Sequence, residues 1–125
     1  MEIDELHEYC LSKPHVEESF PFGPDALVFK VQGKMFCLMR LEADPISFNL
    51  KSDPEVALEL RDRYDAVKPG YHMSKKHWNT VELTGELTPD VVAQMVDASY
   101  ALVVKGLKKS EREAVAAALA ALEEE

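Results

Sequence analysis

The stretch Ala26-Leu27-Val28-Phe29-Lys30-Val31-Gln32-Gly33-Lys34-Met35-Phe36-Cys37-Leu38-Met39-Arg40-Leu41 decides the fold. Two apolar runs, 26–31 and 35–41, flank Gln32-Gly33-Lys34. Strand-forming runs around so short a glycine-containing turn make an antiparallel β-hairpin. Lys30, Lys34 and Arg40 give it a basic face or tip, although charges at hairpin ends also serve simply to stay solvated and guard a sheet edge.

Working downstream, Pro45 precedes Ile46-Ser47-Phe48-Asn49-Leu50-Lys51, whose alternation predicts a third strand with one face buried. A helix follows, with Asp53 as N-cap and Pro54 at its first position. Val56, Ala57, Leu60 and Tyr64 form its apolar stripe, while Arg61 and Arg63 complement the dipole near its C-terminal end. Ala66-Val67-Lys68 and Thr80 to Thr84 read as short strands on either side of a loop. Thr88-Pro89-Asp90 opens the longest helix, whose stripe includes Val92, Met95, Val96, Ser99, Tyr100 and Val103, and Gly106 stops it. Ser110-Glu111-Arg112-Glu113 is a capping box that opens an alanine-rich helix. That helix ends in Glu123-Glu124-Glu125, an acidic end that opposes the dipole and is expected to be mobile.

Upstream of the hairpin, Ile3, Leu6, His7, Cys10 and Leu11 recur at helical spacing, so a short helix runs from about Glu2 to Ser12 and stops at Lys13-Pro14. Val16 to Phe20 then leads into Pro21-Phe22-Gly23-Pro24, a turn-rich corner in which Phe20 and Phe22 are expected to anchor the core. The order is helix, strands, helix, strands, helix, helix. It predicts one α+β domain over residues 1–125, an antiparallel sheet with helices packed on one face.

With 125 residues, 46% hydrophobic and 30% charged, the chain has the composition of a globular domain able to bury a core. Its longest apolar run, Ala114 to Leu122, is too short for a bilayer, and the acidic N-terminus does not read as a signal peptide. A cytoplasmic monomer is therefore expected, with Cys10 and Cys37 buried and reduced. The formal net charge of −9 repels a polyanion, so nucleic-acid binding requires a local basic patch. Between Arg61 and His77 one is present in sequence, where Arg61, Arg63, Lys68, Lys75 and Lys76 outnumber Asp62 and Asp65.

That patch overlaps Pro69-Gly70-Tyr71-His72-Met73-Ser74-Lys75-Lys76-His77-Trp78-Asn79-Thr80-Val81, which holds the only tryptophan. His72 and His77 lack a carboxylate or thiolate ligand between them, and Ser74 has neither an elbow motif nor a spaced orienting acid. The glycines are scattered rather than gathered into a phosphate loop. No enzyme, metal or cofactor is expected. Lys68, Lys75 and Lys76 suit phosphate contacts, with Lys34 and Lys51 in support, while Tyr71, His72 and Trp78 offer stacking faces. The same residues also fit a plainer role, aromatics closing a loop beside solvated lysines.

Five segments carry a family resemblance: Pro21 to Pro24, Lys30 to Phe36, Asn49 to Pro54, Pro69 to Val81 and Asp97 to Val103. Together they resemble the successive signatures of the MmcQ/YjbR family over about residues 3–108, leaving 109–125 as a C-terminal helix and tail. The resemblance implies a frataxin-like α+β fold and a double-wing mode of binding double-stranded DNA. Candidate wings are the Gln32-Gly33-Lys34 turn and the Tyr71–Trp78 loop. Frataxin likeness also directs attention to the acidic face Glu2, Asp4, Glu5 and Glu8, which suits hard cations and equally a solvated helix surface. The alternative to DNA is a small-ligand- or protein-binding module with the 69–81 loop as a pocket wall. Geometry separates the two. Lys34, Lys75 and Lys76 on one exposed surface favour DNA, whereas Tyr71, His72, His77 and Trp78 converging on a cavity favour a ligand.

Overall fold

The computed structural model describes residues 1–124. Helix α1 (Ile3–Leu11) precedes strands β1 (Val16–Ser19), β2 (Ala26–Val31), β3 (Lys34–Arg40) and β4 (Ser47–Lys51). Helix α2 (Pro54–Arg63), strands β5 (Val67–Pro69) and β6 (Trp78–Glu82), and helices α3 (Pro89–Lys105) and α4 (Lys109–Glu123) follow. The strands form one antiparallel sheet in the order β1-β2-β3-β4-β6-β5. The predicted α+β class and antiparallel sheet are what the chain adopts.

Period-2 alternation sorts the side chains onto two faces. Leu27, Phe29, Met39, Phe48, Leu50 and Val81 point to the helical side and join a core with Leu6, Val96 and Val115 from the helices. Helix α3 lies across β2, β3 and β4, α2 covers β5 and β6, α1 covers β1, and α4 packs on α3. Cys10 and Cys37 are buried and unbridged. Burial, with the Cys10 thiol alongside, pushes the Cys37 thiol well above its ordinary value.

One irregularity shapes the centre of this layer. A bulge between Phe29 and Lys30 of β2 and the facing residues of β3 places Phe36 and Cys37 in the core together. Ser99 of α3 satisfies the backbone there: its hydroxyl donates to Phe36 O at 2.6 Å and accepts from Lys51 N–H at 2.8 Å.

Four local expectations change. Val16–Ser19 forms an edge strand although Val-Glu-Glu-Ser has little strand propensity, because β2 supplies the partner, Glu17 facing Lys30. Phe20 and Phe22 are not core anchors: they are 50% and 72% exposed, since the 20–25 corner swings off the sheet. Helix α4 begins at Lys109 rather than after Ser110, because the Glu111 carboxylate accepts from Lys108 N–H while Leu107 is buried. Strand β4 is buried on both faces, for Ser47 and Asn49 are covered on the helix-free side as well. The expected mobile end includes residue 125, which lies outside the described residues. Among the described residues no helix is long and apolar enough to cross a membrane.

Candidate functional site

What covers β4 on the helix-free face is the 70–77 loop. It leaves β5, folds back over the sheet and rejoins at β6. Asn49 and Thr80, facing neighbours on β4 and β6, hold it down. The Thr80 hydroxyl donates to Asn49 Oδ1 at 2.6 Å and accepts from Tyr71 N–H at 2.9 Å. The Asn49 amide donates to Tyr71 O at 3.3 Å and to Met73 Sδ at 3.2 Å. These bonds grip the chain on both sides of His72, whose backbone sits in the left-handed region at φ 59°. Held non-glycine residues of that kind cluster at functional sites. The Tyr71 ring packs against His72 at a tilt, with centroids 4.0 Å apart and planes at 58°, and the Arg40 guanidinium lies 4.1 Å from the Tyr71 ring centre.

Between this wall and the 20–25 corner lies a cavity of about 480 Å³. Ala26, Leu38, Met35 and Asn49 form its floor, with Phe22 on one side and Tyr71, His72 and Met73 on the other. Arg40 lies at one end beside Asp25 and Glu42. Phe22 is thus a cavity residue that its Pro-Phe-Gly-Pro setting disguised as a core one.

The predicted cations fall elsewhere. Strand register places Lys34, Lys51 and Trp78 at one end of the sheet, with the 32–33 turn and the last turn of the 70–77 loop. Ser52 N–H donates to His77 O at 2.8 Å, tying that loop to the start of α2. Lys75 and Lys76 flank α2 near Pro54 and Leu58, outside the Tyr71–His72 cavity. The Lys75 ammonium donates to Gly70 O at 3.2 Å. Trp78 is half-buried and begins β6 rather than lying on the loop, facing Lys51 across the ladder. Lys68 stands apart: its ammonium pairs with Glu82 at 2.8 Å, and that hydrogen bond raises its pKa. Arg61 is spent inside, donating to Asn79 Oδ1 at 2.6 Å and to the carbonyls of Lys75 and Trp78. So Lys34, Lys51, Lys75, Lys76 and Trp78 share one end of the sheet, while Tyr71 and His72 belong to the cavity.

The opposite end has the contrary sign. Its connections, 20–25, 41–46 and 83–88, carry Asp25, Glu42, Asp44 and Glu86 and contain no Lys or Arg. The N-terminus of α1 adds Glu2, Asp4 and Glu5 there, since Met1 to Ile3 lie beside Asp44 and Gly85. At the basic end α3 runs on past Ser99, bringing Lys105 and Lys108. Asp53, Glu55 and Asp97 sit at that end too: the Asp53 carboxylate caps α2 by accepting from Glu55 N–H, Glu55 lies with Lys75 and Lys76 beside α2, and Asp97 pairs with Lys13. Cations predominate at one end and acids at the other, although Arg40 closes β3 at the acidic end and Lys68 pairs with Glu82 there.

An antiparallel sheet with helices on one face and a loop-walled cavity on the other defines an α+β domain with a single open sheet surface. The chain belongs to the YjbR family, whose model matches residues 11–102. It is 41% identical over 120 residues to the uncharacterized protein YbdF of Escherichia coli O157:H7, covering 92% of this chain and 98% of the relative. With the uncharacterized protein YjbR of Escherichia coli K12 it shares 36% identity over 112 residues, 90% of this chain and 95% of the relative. Among solved structures, Deinococcus radiodurans protein DR2400, of the DUF419 domain, matches with a TM-score of 0.85 at 39% identity, covering 91% of this chain and 87% of that one. A Pseudomonas syringae protein matches with a TM-score of 0.72 at 27% identity, covering 82% of this chain and 98% of that one.

Proposed function

We propose that the protein is a non-enzymatic, cytoplasmic DNA-binding protein that meets duplex phosphates with its basic end. The observation that supports this reading is the separation of charge along the sheet. A net charge of −9 opposes a polyanion only where the negative charges stand. A five-residue strand such as β4 spans about 16 Å, and screening at physiological salt acts over about 8 Å. The acidic end is therefore largely screened from a ligand held at the basic one. The 32–33 turn and the 74–77 segment both lie at that end, the latter tied to the start of α2, and these would be the two wings. Lys34, Lys51, Lys75 and Lys76 would take phosphates, and Trp78 would shape the surface beside Lys51. Lys68, already paired with Glu82, would contribute little.

The test is fluorescence anisotropy of a labelled mixed-sequence duplex across a salt series, with wild type beside Lys75→Ala/Lys76→Ala. Binding is expected to weaken with salt. The log–log slope in the variant should be shallower by about 0.9 for each phosphate it no longer neutralises. Absence of binding at low salt, or an unchanged slope in the variant, overturns the reading.

A further inference from the structure

The open-face cavity is a site of a different kind, remote in chemistry from the basic end. We propose that it binds a small carboxylic acid with a planar apolar body, the carboxylate on Arg40 and the body between Phe22 and Tyr71. At about 480 Å³ it lies within the size of small-molecule sites, about 300–1,000 Å³. Its interior is apolar, from Ala26, Met35, Leu38 and Met73.

Arg40 sets the ligand class. Arg40 is half-buried, and no carboxylate pairs with it among the described residues. Its guanidinium carbon lies over the Tyr71 ring, 4.1 Å from the ring centre. Guanidinium recognises a carboxylate through two parallel N–H bonds, which Arg40 could offer here. Asp25 and Glu42 share the lining and disfavour a phosphate with two negative charges more than a carboxylate with one, so the hold on the anion comes from paired hydrogen bonds to Arg40 and not from the summed charge of the lining. Phe22, 72% exposed at the lip, and Tyr71, 47% exposed on the facing wall, offer aromatic surfaces that an inserted ring would cover. The wall is also preorganised: Asn49 and Thr80 fix Tyr71 and Met73 before any ligand arrives, which lowers the ordering cost of binding.

The experiment is a two-dimensional amide NMR titration of the full chain with phenylacetate, beside benzyl alcohol and phenethylamine as uncharged and cationic counterparts. Phenylacetate is expected to shift amides of Ala26, Leu38, Arg40 and the 70–73 segment saturably, and both counterparts to bind at least tenfold more weakly. Arg40→Gln is expected to lose at least tenfold in affinity for phenylacetate. Leu38→Trp, which fills the floor, should abolish binding, and Lys75→Ala/Lys76→Ala should leave it unchanged. Equal binding of benzyl alcohol, an Arg40→Gln variant that is folded and binds as wild type does, or no shift at millimolar phenylacetate overturns the proposal. These readouts involve no DNA, so the two sites stand or fall separately.

Discussion

Ser99 is a small polar residue in the buried stripe of α3, and its hydroxyl is committed twice. The β3–β4 register stops at Cys37 and Leu50, and just beyond it Ser99 bonds both Phe36 O and Lys51 N–H. Alanine at this position keeps the helix and removes the bridge, stranding two backbone groups in an apolar layer. Each unsatisfied buried group costs about 1–3 kcal/mol, so Ser99→Ala is expected to lose at least that much in urea unfolding. A midpoint within error of wild type would show that the bridge contributes nothing. Sequence periodicity places Ser99 on the correct face of α3. It does not disclose the bridge, because the partners lie 63 and 48 residues away and depend on where the β3–β4 register stops, which no local pattern marks.

At the scale of elements, the 69–81 segment shows where local reading stops. Its turn, its loop and the strand after it are legible from Pro69-Gly70 and the alternation near Val81. The assignment of its side chains is not. Tyr71 and His72 lean over the open face, Lys75 and Lys76 turn toward α2, and Trp78 enters β6. That division follows from β6 inserting between β4 and β5, a pairing set by register rather than by neighbours in sequence. The edge strand β1 and the outward Phe22 escaped for the same reason, since each is defined by what lies across the sheet. Gly70 is where the segment is tightest. A Cβ there would stand 2.8 Å from Trp78 Cβ and 2.9 Å from Trp78 O. Gly70→Ala is therefore expected to cost about 1–3 kcal/mol, as overpacking does, and to alter the fluorescence of the sole tryptophan. Gly106→Ala is the control, because its added Cβ meets nothing nearer than 3.6 Å. Equal stability and equal Trp78 emission in the two variants would refute the close approach.

For the molecule as a whole, hairpins and helix caps made the architecture readable, whereas the electrostatic axis was not. Sequence order groups Arg61 and Lys68 with Lys75 and Lys76, yet folding commits Arg61 to Asn79 and two carbonyls, pairs Lys68 with Glu82, and brings Lys34 and Lys51, read from the sequence only as support, to the same end from distant strands. The basic end is also where the helical layer is fastened. The Tyr100 hydroxyl donates to Pro14 O at 2.6 Å, and Tyr9 and Lys13 both reach Asp97. Burial pushes the Tyr100 phenol up to about 12, while burial and then the Asp97 hydrogen bond push Tyr9 to about 12. An unfolded tyrosine ionises near 10. Between about pH 10 and 12 the unfolded chain therefore gives up protons that the folded chain retains. With fewer protons bound in the unfolded state, stability falls as pH rises through that window and is intact below it. Lys68, raised by Glu82, acts in the same direction. Tyr100→Phe is expected to be less stable at neutral pH by about 0.5–1.5 kcal/mol, the worth of a typical hydrogen bond. Having no phenol to ionise, it should also decline less steeply above pH 10 in urea titrations. Parallel declines for wild type and Tyr100→Phe would remove Tyr100 from the fastening and leave Tyr9 and Lys13, through Asp97, to hold α1 to α3.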